Sequence, residues 1–198
     1  MNITPQSAAG ALWATVKDPA AAARQVLPWQ VSLPNLWSAL LLVAVLNVLM
    51  LALLQAVSPV PVVLQEQGFV LTPFSYAAII VTFLFLMVYT LYHIGRMLGG
   101  VGTIEDSLKV IILFQAVSVS LEAVQVVLVM ISPLIAGYFG IISVVILVRC
   151  VMNFVNVMHR FESIGKTLVV MVLALIATAM IAGIVLSVLG VAPTGVPA

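Results

Sequence analysis

The sequence predicts an all-α membrane protein, a bundle of five transmembrane helices preceded by short amphipathic helices at the membrane interface. Of its 198 residues, 64% are hydrophobic and 7% are charged, whereas soluble domains carry about 25% charged residues. Too little polar surface remains to cover a water-soluble globule, and the net charge of +1 gives no steering toward nucleic acid. Five apolar runs are each long enough for a transmembrane helix, which needs roughly 20 residues.

Residues 1–35 precede the spans and are predicted to form two short helices along the membrane surface. Leu12 and Val16 repeat at helical spacing. Asp18 and Pro19 supply an N-cap and a first-turn proline for the second helix. Tryptophan is enriched at membrane–water interfaces. This region contains Trp13 and Trp29, and Trp37 lies just after it, at the start of span one. A disordered tail is the alternative.

The transmembrane domain is predicted over residues 36–190, with a short extracytoplasmic tail over residues 191–198. Its spans are Leu36–Val57, Phe74–Ile94, Ser107–Ile131, Leu134–Met158 and Leu168–Leu189. Helices are expected because each satisfies its own backbone hydrogen bonds, as hydrocarbon demands. The connections are short, so a single domain is expected.

Basic residues are distributed unequally between the two ends of the predicted bundle. Six of the seven lysines and arginines precede span one or flank the turns that follow spans two and four. The connections at the opposite end contain none, and the seventh, Arg149, lies inside span four. By the positive-inside rule the N-terminus is cytoplasmic and the C-terminus extracytoplasmic.

A glycine-rich segment, GRMLGGVGTIED, joins spans two and three at residues 95–106. A phosphate-binding P-loop would need GxxxxGK[ST] after a strand, and this segment has neither the lysine nor the strand. Gly99 and Gly100 suit the end of a helix, where a left-handed residue costs glycine nothing. Thr103 and Asp106 have the spacing of a capping box for the next helix. The segment is therefore predicted to be a turn between two membrane helices.

This turn also carries a family resemblance. It has the pattern R-x-x-GG-x-G-[ST]-x-x-[DE], formed by Arg96, Gly99, Gly100, Gly102, Thr103 and Asp106. The turn, the N-terminal string LWATVKDPAAAARQVLPWQ and the five-span layout are similar to those of short bacterial members of the Yip1 family. The resemblance implies a location in the bacterial inner membrane. It also implies a role through protein contacts, since eukaryotic members act in endoplasmic reticulum–Golgi traffic and bind Rab-type GTPases and sister Yip1 proteins.

Polar residues inside spans three and four form a second candidate site. One helical face of span three carries Gln115, Ser118, Glu122 and Gln125, and one face of span four carries Arg149, Asn153 and Asn156. Such groups rarely face lipid, so the two faces are expected to meet as a buried polar cluster. Arg149 and Gln115 lie at a similar depth from the turn between these spans, and they are the expected pair. Glu122 is expected to join them through Ser118, water or another span.

Two interpretations of this polar cluster stay open. Hydrogen bonding between helices is favoured, because Asn, Gln and Ser commonly join membrane helices in this way. A polar pathway or a ligand pocket is the alternative. Elsewhere, Cys150 is expected to be a buried apolar residue, and His93 and His159 are expected to be isolated near the ends of their spans. The chain has no metal or cofactor motif, so no metal and no cofactor is predicted.

Together these observations predict a non-enzymatic membrane adaptor or organiser that acts through helix–helix contacts and its cytoplasmic face. Its expected partners are membrane lipids and either another membrane protein or a second copy of the chain, but no nucleic acid. A small transporter, channel or lipid-translocating protein that uses the polar cluster is one alternative. An accessory subunit of a larger membrane complex is the other.

Overall fold

The computed structural model describes residues 5–57 and 73–188, which form seven helices. They are α1 (Pro5–Lys17), α2 (Pro19–Val26), α3 (Leu33–Val57), α4 (Pro73–Met97), α5 (Ile104–Ile131), α6 (Pro133–His159) and α7 (Ile164–Val188). Helices α3 to α7 are long and apolar enough to cross a membrane. The five-span bundle and the two short N-terminal helices are therefore confirmed, while the predicted tail at residues 191–198 lies outside the described residues.

Local chemistry sets several of the helix boundaries. Asp18 caps α2 by accepting a hydrogen bond from the Ala21 N–H at 2.9 Å, and Pro19 occupies the first turn, as predicted. Ser132 ends α5 and also caps α6, whose first residue is Pro133. A single residue thus separates these two helices, and they pack as antiparallel neighbours.

Helix α5 lies at the centre of the bundle, packed against α3, α4 and α6. Helix α7 packs mainly against α4, while α1 and α2 lie against α5 and α6. The core contains fully buried side chains from four of the long helices, including Val88, Leu91, Leu108, Phe154 and Val170. Because lipid is as apolar as these side chains, close packing rather than exclusion of water holds such helices together.

The outer surfaces of α6 and α7 are apolar. Exposed side chains include Leu134, Tyr138, Ile141 and Val145 on α6, and Leu168, Ile176, Met180 and Ile184 on α7. Soluble monomers rarely expose contiguous apolar patches larger than a few hundred Å². These surfaces are suited to contact with lipid, as an integral membrane protein requires.

One end of the bundle brings together α1, α2 and two turns. Residues 98–103 connect α4 to α5, and residues 160–163 connect α6 to α7. Six of the seven lysines and arginines belong to α1, α2, these turns or the helix ends beside them. We call this part of the molecule the basic end. The opposite end includes the junction between α5 and α6.

Candidate functional site

The turn between α4 and α5 closes on its own backbone. Gly99 has a φ of 87°, in the left-handed region that favours glycine. The Gly99 N–H donates to the Arg96 carbonyl at 3.1 Å, and the Gly100 N–H donates to the Gly95 carbonyl at 2.8 Å. These two bonds define a Schellman motif, so the predicted helix end at the glycine pair is confirmed.

The next helix begins with the predicted capping box. Thr103 Oγ1 accepts from the Asp106 N–H at 3.2 Å, and Asp106 Oδ2 accepts from the Thr103 N–H at 3.1 Å. Asp106 and Glu105 both lie in the first turn of α5, where negative charge is favourable to the helix dipole. This pairing fixes the direction in which α5 leaves the turn.

His159 fills the space that the glycines of this segment leave open. Its side chain is 1% exposed, and its Nε2 donates to the Leu91 carbonyl at 3.3 Å, because a carbonyl can only accept. A β-carbon at Gly95 or Gly100 would overlap the imidazole ring, and one at Gly102 would lie 3.0 Å from Nδ1. Three of the glycines therefore make room for His159, whereas Gly99 forms the left-handed turn.

His159 makes two further contacts in this segment that the sequence does not predict. Its carbonyl accepts from the Val101 N–H at 3.3 Å, and its ring stacks on Phe161 with centroids 5.0 Å apart. Nδ1 has no hydrogen-bond partner within residues 5–57 and 73–188. No local pattern connects His159 to glycines two helices earlier in the chain, so reasoning from the sequence missed this contact.

The turn between α6 and α7 repeats the Schellman geometry without glycine. Arg160 has a φ of 53°. Its N–H donates to the Val157 carbonyl, and the Phe161 N–H donates to the Asn156 carbonyl, each at 3.3 Å. The side-chain Oδ1 of Asn156 accepts from Thr167 Oγ1 at 3.2 Å. Asn156 therefore ties α6 to α7, which is a different neighbour from the α5 face expected for it.

Arg149 binds the end of α1. Its Nη1 donates to the Val16 carbonyl and its Nη2 to the Lys17 carbonyl, each at 3.0 Å. The last carbonyls of a helix lack intrahelical donors and carry partial negative charge, so a guanidinium can satisfy two of them at once. The expected pairing with Gln115 is wrong, because α1 offers two backbone acceptors to the guanidinium. Arg149 is exposed rather than buried, while Gln115 is buried in α5.

Lys109 performs the same task for α2. Its Nζ donates to the Leu27 carbonyl at 2.7 Å and lies 3.7 Å from Asp106 Oδ1. Leu27 is the C-cap residue of α2, directly after its last residue, Val26. The carbonyl end of each N-terminal helix thus binds a basic side chain from the bundle. These contacts hold α1 against α6 and α2 against α5. In the sequence Lys109 is only one of the basic residues beside the turn, because its acceptor is a backbone carbonyl 82 positions earlier in the chain.

Glu122 and its neighbours on α5 form a separate polar group, farther from the basic end. Ser118 Oγ donates to Glu122 Oε1 at 3.0 Å, and Gln125 Nε2 donates to a backbone carbonyl of α6 at 2.9 Å. Glu122 and Gln125 line a cavity of about 140 Å³ together with Asn47 of α3 and Tyr76 of α4. Asn47 and Tyr76 belong to other helices, so the spacing of polar residues along α5 and α6 does not predict them.

The expected single cluster is therefore divided among different partners. Asn153 donates to the backbone carbonyl of Arg149 at 2.8 Å, within its own helix. Arg149 joins α1, Asn156 joins α7, and Glu122 joins Ser118. Regular spacing along one helix shows that residues share a side of that helix. It does not show which neighbouring segment lies there.

Reactive side chains outside these contacts offer little chemistry. Cys150 is buried, as predicted. Across the described ranges, no group of three or more His, Cys, Asp or Glu is placed to hold a metal ion. At the basic end, charged and ring nitrogens donate hydrogen bonds to backbone carbonyls. This arrangement positions helices.

Comparison with known proteins identifies the family. The family model described as the Yip1 domain matches residues 13–190. No curated protein and no solved structure matches the chain. The matched range takes in both turns of the basic end, the basic residues that hold α1 and α2, and all five long helices. The chain therefore belongs to the Yip1 family.

Proposed function

We propose that this integral membrane protein is a non-enzymatic adaptor that binds a membrane-protein partner, or a second copy of itself, through its basic end. The observation that carries the proposal is the set of hydrogen bonds from Arg149, Lys109 and Val101 to segments far away in the chain. They join α1, α2 and both turns into one preformed surface. A surface that is already ordered loses less conformational entropy on binding.

The side chains that this surface exposes suit contact with a protein. Met97 is 83% exposed and Ile164 is 73% exposed, although both lie at the ends of membrane helices. Arg96, which precedes Met97 in the chain, is also exposed. Arg160, in the turn that leads to Ile164, is exposed as well. Methionine and arginine are among the residues enriched at protein interfaces. The same surface would serve an accessory subunit of a larger complex.

We further propose that the basic end faces the cytoplasm of a bacterial cell and that the protein resides in the inner membrane. The support is the positive-inside rule applied to six of the seven lysines and arginines. Single cysteines at Met97 and Leu134, in a Cys150→Ala background, test this orientation. A membrane-impermeant maleimide applied to intact spheroplasts should label Leu134→Cys only. Labelling of Met97→Cys alone would reverse the orientation.

A small transporter or lipid-translocating protein is the second candidate. The 140 Å³ cavity lined by Glu122, Gln125, Asn47 and Tyr76 favours it, because ionisable groups within spans often mark ion or substrate pathways. Arg149 binds α1 instead of this cavity. The basic residue expected to lie with Glu122 along a pathway is therefore bound to another helix. For this reason we rank the transporter candidate below the adaptor.

Photocrosslinking in the native membrane tests the adaptor proposal. A benzophenone amino acid replaces Met97 or Ile164 at the basic end, and Leu134, which is 70% exposed at the opposite end, is the matched control. We expect one discrete adduct of constant mass from both basic-end positions and none from Leu134. Native mass spectrometry should then show the same partner in fixed ratio. Absence of any protein adduct at the basic end would contradict the proposal.

A further inference from the structure

A cavity of about 1020 Å³ lies between the N-terminal helices and the membrane bundle. Helices α1 and α2 form one wall, and α3 and α5 contribute most of the other. Much of the lining is apolar, with several alanines on α1 and α2 and with Ile112, Leu113 and Ala116 on α5. Small-molecule sites commonly have volumes of about 300–1,000 Å³, so this cavity can accommodate a large ligand.

The charged groups in the cavity are mainly basic. Lys17, Lys109 and Arg149 line it, with Asp18 as the acidic residue. They are three of the seven lysines and arginines in the chain. Lys109 is built into the wall, since its side chain is 10% exposed and its Nζ donates to the Leu27 carbonyl. An ammonium group has three donors, and this carbonyl uses one of them.

Basic and apolar groups occupy different depths along α5. At 1.5 Å per residue, Lys109 lies about 8 Å from the first residue of the helix and Ala116 lies about 18 Å from it. Trp29 also lines the cavity and is 59% exposed, and tryptophan is enriched at the depth of lipid headgroups. Along the α5 wall, the order from the basic end inward is therefore a charged group followed by apolar groups, as in a phospholipid. Arg149 lines the cavity at the depth of Gln115, but its guanidinium is already bound to two carbonyls of α1.

We propose that this cavity binds one anionic phospholipid of the surrounding membrane. Its phosphate lies beside Lys17 and Lys109, and one acyl chain lies along Ile112 and Ala116. A neutral apolar ligand would leave the net positive charge of the cavity, which Asp18 and the nearby Asp106 balance only in part, without a further counter-charge. Free phosphate would leave the apolar wall unfilled. An anionic lipid matches both and bridges α1 and α2 to α5. The proposal does not depend on the adaptor function.

Native mass spectrometry of the full chain tests for this lipid. The protein is reconstituted in vesicles of phosphatidylcholine and phosphatidylglycerol and then released in mild detergent. We expect one phosphatidylglycerol retained per chain in preference to phosphatidylcholine. Equal retention of the two lipids would overturn the proposal. So would displacement of the lipid by inorganic phosphate at the same concentration, because the acyl chain would then contribute nothing.

Two matched pairs of variants locate the site. Lys17→Gln removes a charge that lines the cavity, whereas Arg24→Gln removes one from α2 outside the lining. Lys17→Gln should weaken retention of phosphatidylglycerol about fivefold, the effect typical of one lysine near an anionic surface, and Arg24→Gln should not change it. Ala22→Leu places a larger side chain in the cavity and should weaken retention, whereas Ala20→Leu, outside the lining, should not. Retention equal to that of the unmodified chain in both Lys17→Gln and Ala22→Leu would overturn the proposal.

Discussion

The two ends of the bundle use their polar side chains in different ways. At the basic end, hydrogen bonds from Arg149 and Lys109 reach segments that are 133 and 82 positions away in the chain. Toward the opposite end, Ser118 bonds Glu122 one turn along the same helix, and Asn47 bonds the carbonyl four residues before it. Gln125 does reach another helix, but only its neighbour across the α5–α6 junction, 11 positions away in the chain. Bonds between distant segments fix the positions of whole helices, whereas bonds within one helix only satisfy the polar group that makes them.

This difference predicts how the two ends respond to substitution. A change at the basic end should displace a helix or a turn and should be detected far from the altered residue. A change near Glu122 should alter only the residues around it. Hydrogen bonds between side chains in membrane helices contribute on average only about 0.6 kcal/mol, so sterics and backbone contacts at the basic end should give the larger effects.

The largest effect is expected for Gly95→Ala, whose new methyl group overlaps the ring of His159. His159 is fully buried and cannot move aside without displacing Leu91 or Phe161, which it contacts. Overpacking of this kind costs about 1–3 kcal/mol. The thermal unfolding midpoint in detergent, followed by helical circular dichroism, should fall accordingly.

Gly183→Ala is the matched control for this clash. Gly183 also lies inside a long helix, but a β-carbon there has no neighbour within 4 Å among the described residues. Alanine should be neutral or stabilise the helix by up to about 1 kcal/mol. In a His159→Ala background, Gly95→Ala should lose most of its effect. An undiminished loss in that background would show that His159 is not the cause.

Arg149→Gln should release α1 from the bundle. The substitution removes the paired donors to the Val16 and Lys17 carbonyls. Because Arg149 is exposed, we expect a loss of about 1 kcal/mol, less than the roughly 1.5–3 kcal/mol typical of hydrogen bonds to charged groups. A cysteine at Leu12, in a Cys150→Ala background, should react faster with maleimide. Arg24→Gln, which removes a charge from α2, should leave that rate unchanged. Equal rates in both variants would contradict the contact with α1.

Thr103→Ala should destabilise the start of α5 by about 1 kcal/mol, the typical cost of losing an N-cap. The substitution leaves the Asp106 N–H without the acceptor it has now. Hydrogen exchange of the amides at residues 104–107 should accelerate. Thr103→Ser keeps the hydroxyl and should exchange at the original rate. A serine variant as fast as the alanine variant would show that the cap contributes nothing.

The smallest effect is expected for Glu122→Gln. An amide oxygen can still accept from Ser118 Oγ, so stability should change by less than about 1 kcal/mol. Abundance in the membrane and the unfolding midpoint are the measurements. Unchanged abundance together with loss of proton or lipid flux in vesicles would favour the transporter candidate. A large fall in abundance would show that the hydrogen bonds of Glu122 stabilise the packing of the helices by more than about 1 kcal/mol.

The fold followed from the sequence because its signals are local. Apolar runs of sufficient length predicted α3 to α7, Asp18 and Pro19 predicted the start of α2, and the glycine pair predicted the end of α4. The cap and the glycine turn depend on residues within one or two turns of each other, and each apolar run lies within a single helix. Capping and turn chemistry are of this kind, and they were confirmed.

The contacts between segments could not be derived in the same way. The helical period placed Arg149 and Gln115 at matching depths, but depth does not determine direction around the helix axis. Arg149 turns to the carbonyl end of α1, a set of acceptors formed by backbone and therefore without a sequence signature. The sequence also does not predict the pocket around His159. The glycines that leave this space are already accounted for by the turn between α4 and α5, so they indicate no further contact.

Hydrogen–deuterium exchange of the unmodified protein in lipid nanodiscs tests the central claim most directly. If the basic end is a preformed surface, the amides of Gly100 and Val101 should be protected by their bonds to Gly95 and His159. Residues 11–27 should exchange slowly as well, and both regions should lose protection together in Arg149→Gln combined with Gly95→Ala. Exchange of residues 98–103 and 11–27 at the rates of an unstructured peptide would contradict the account.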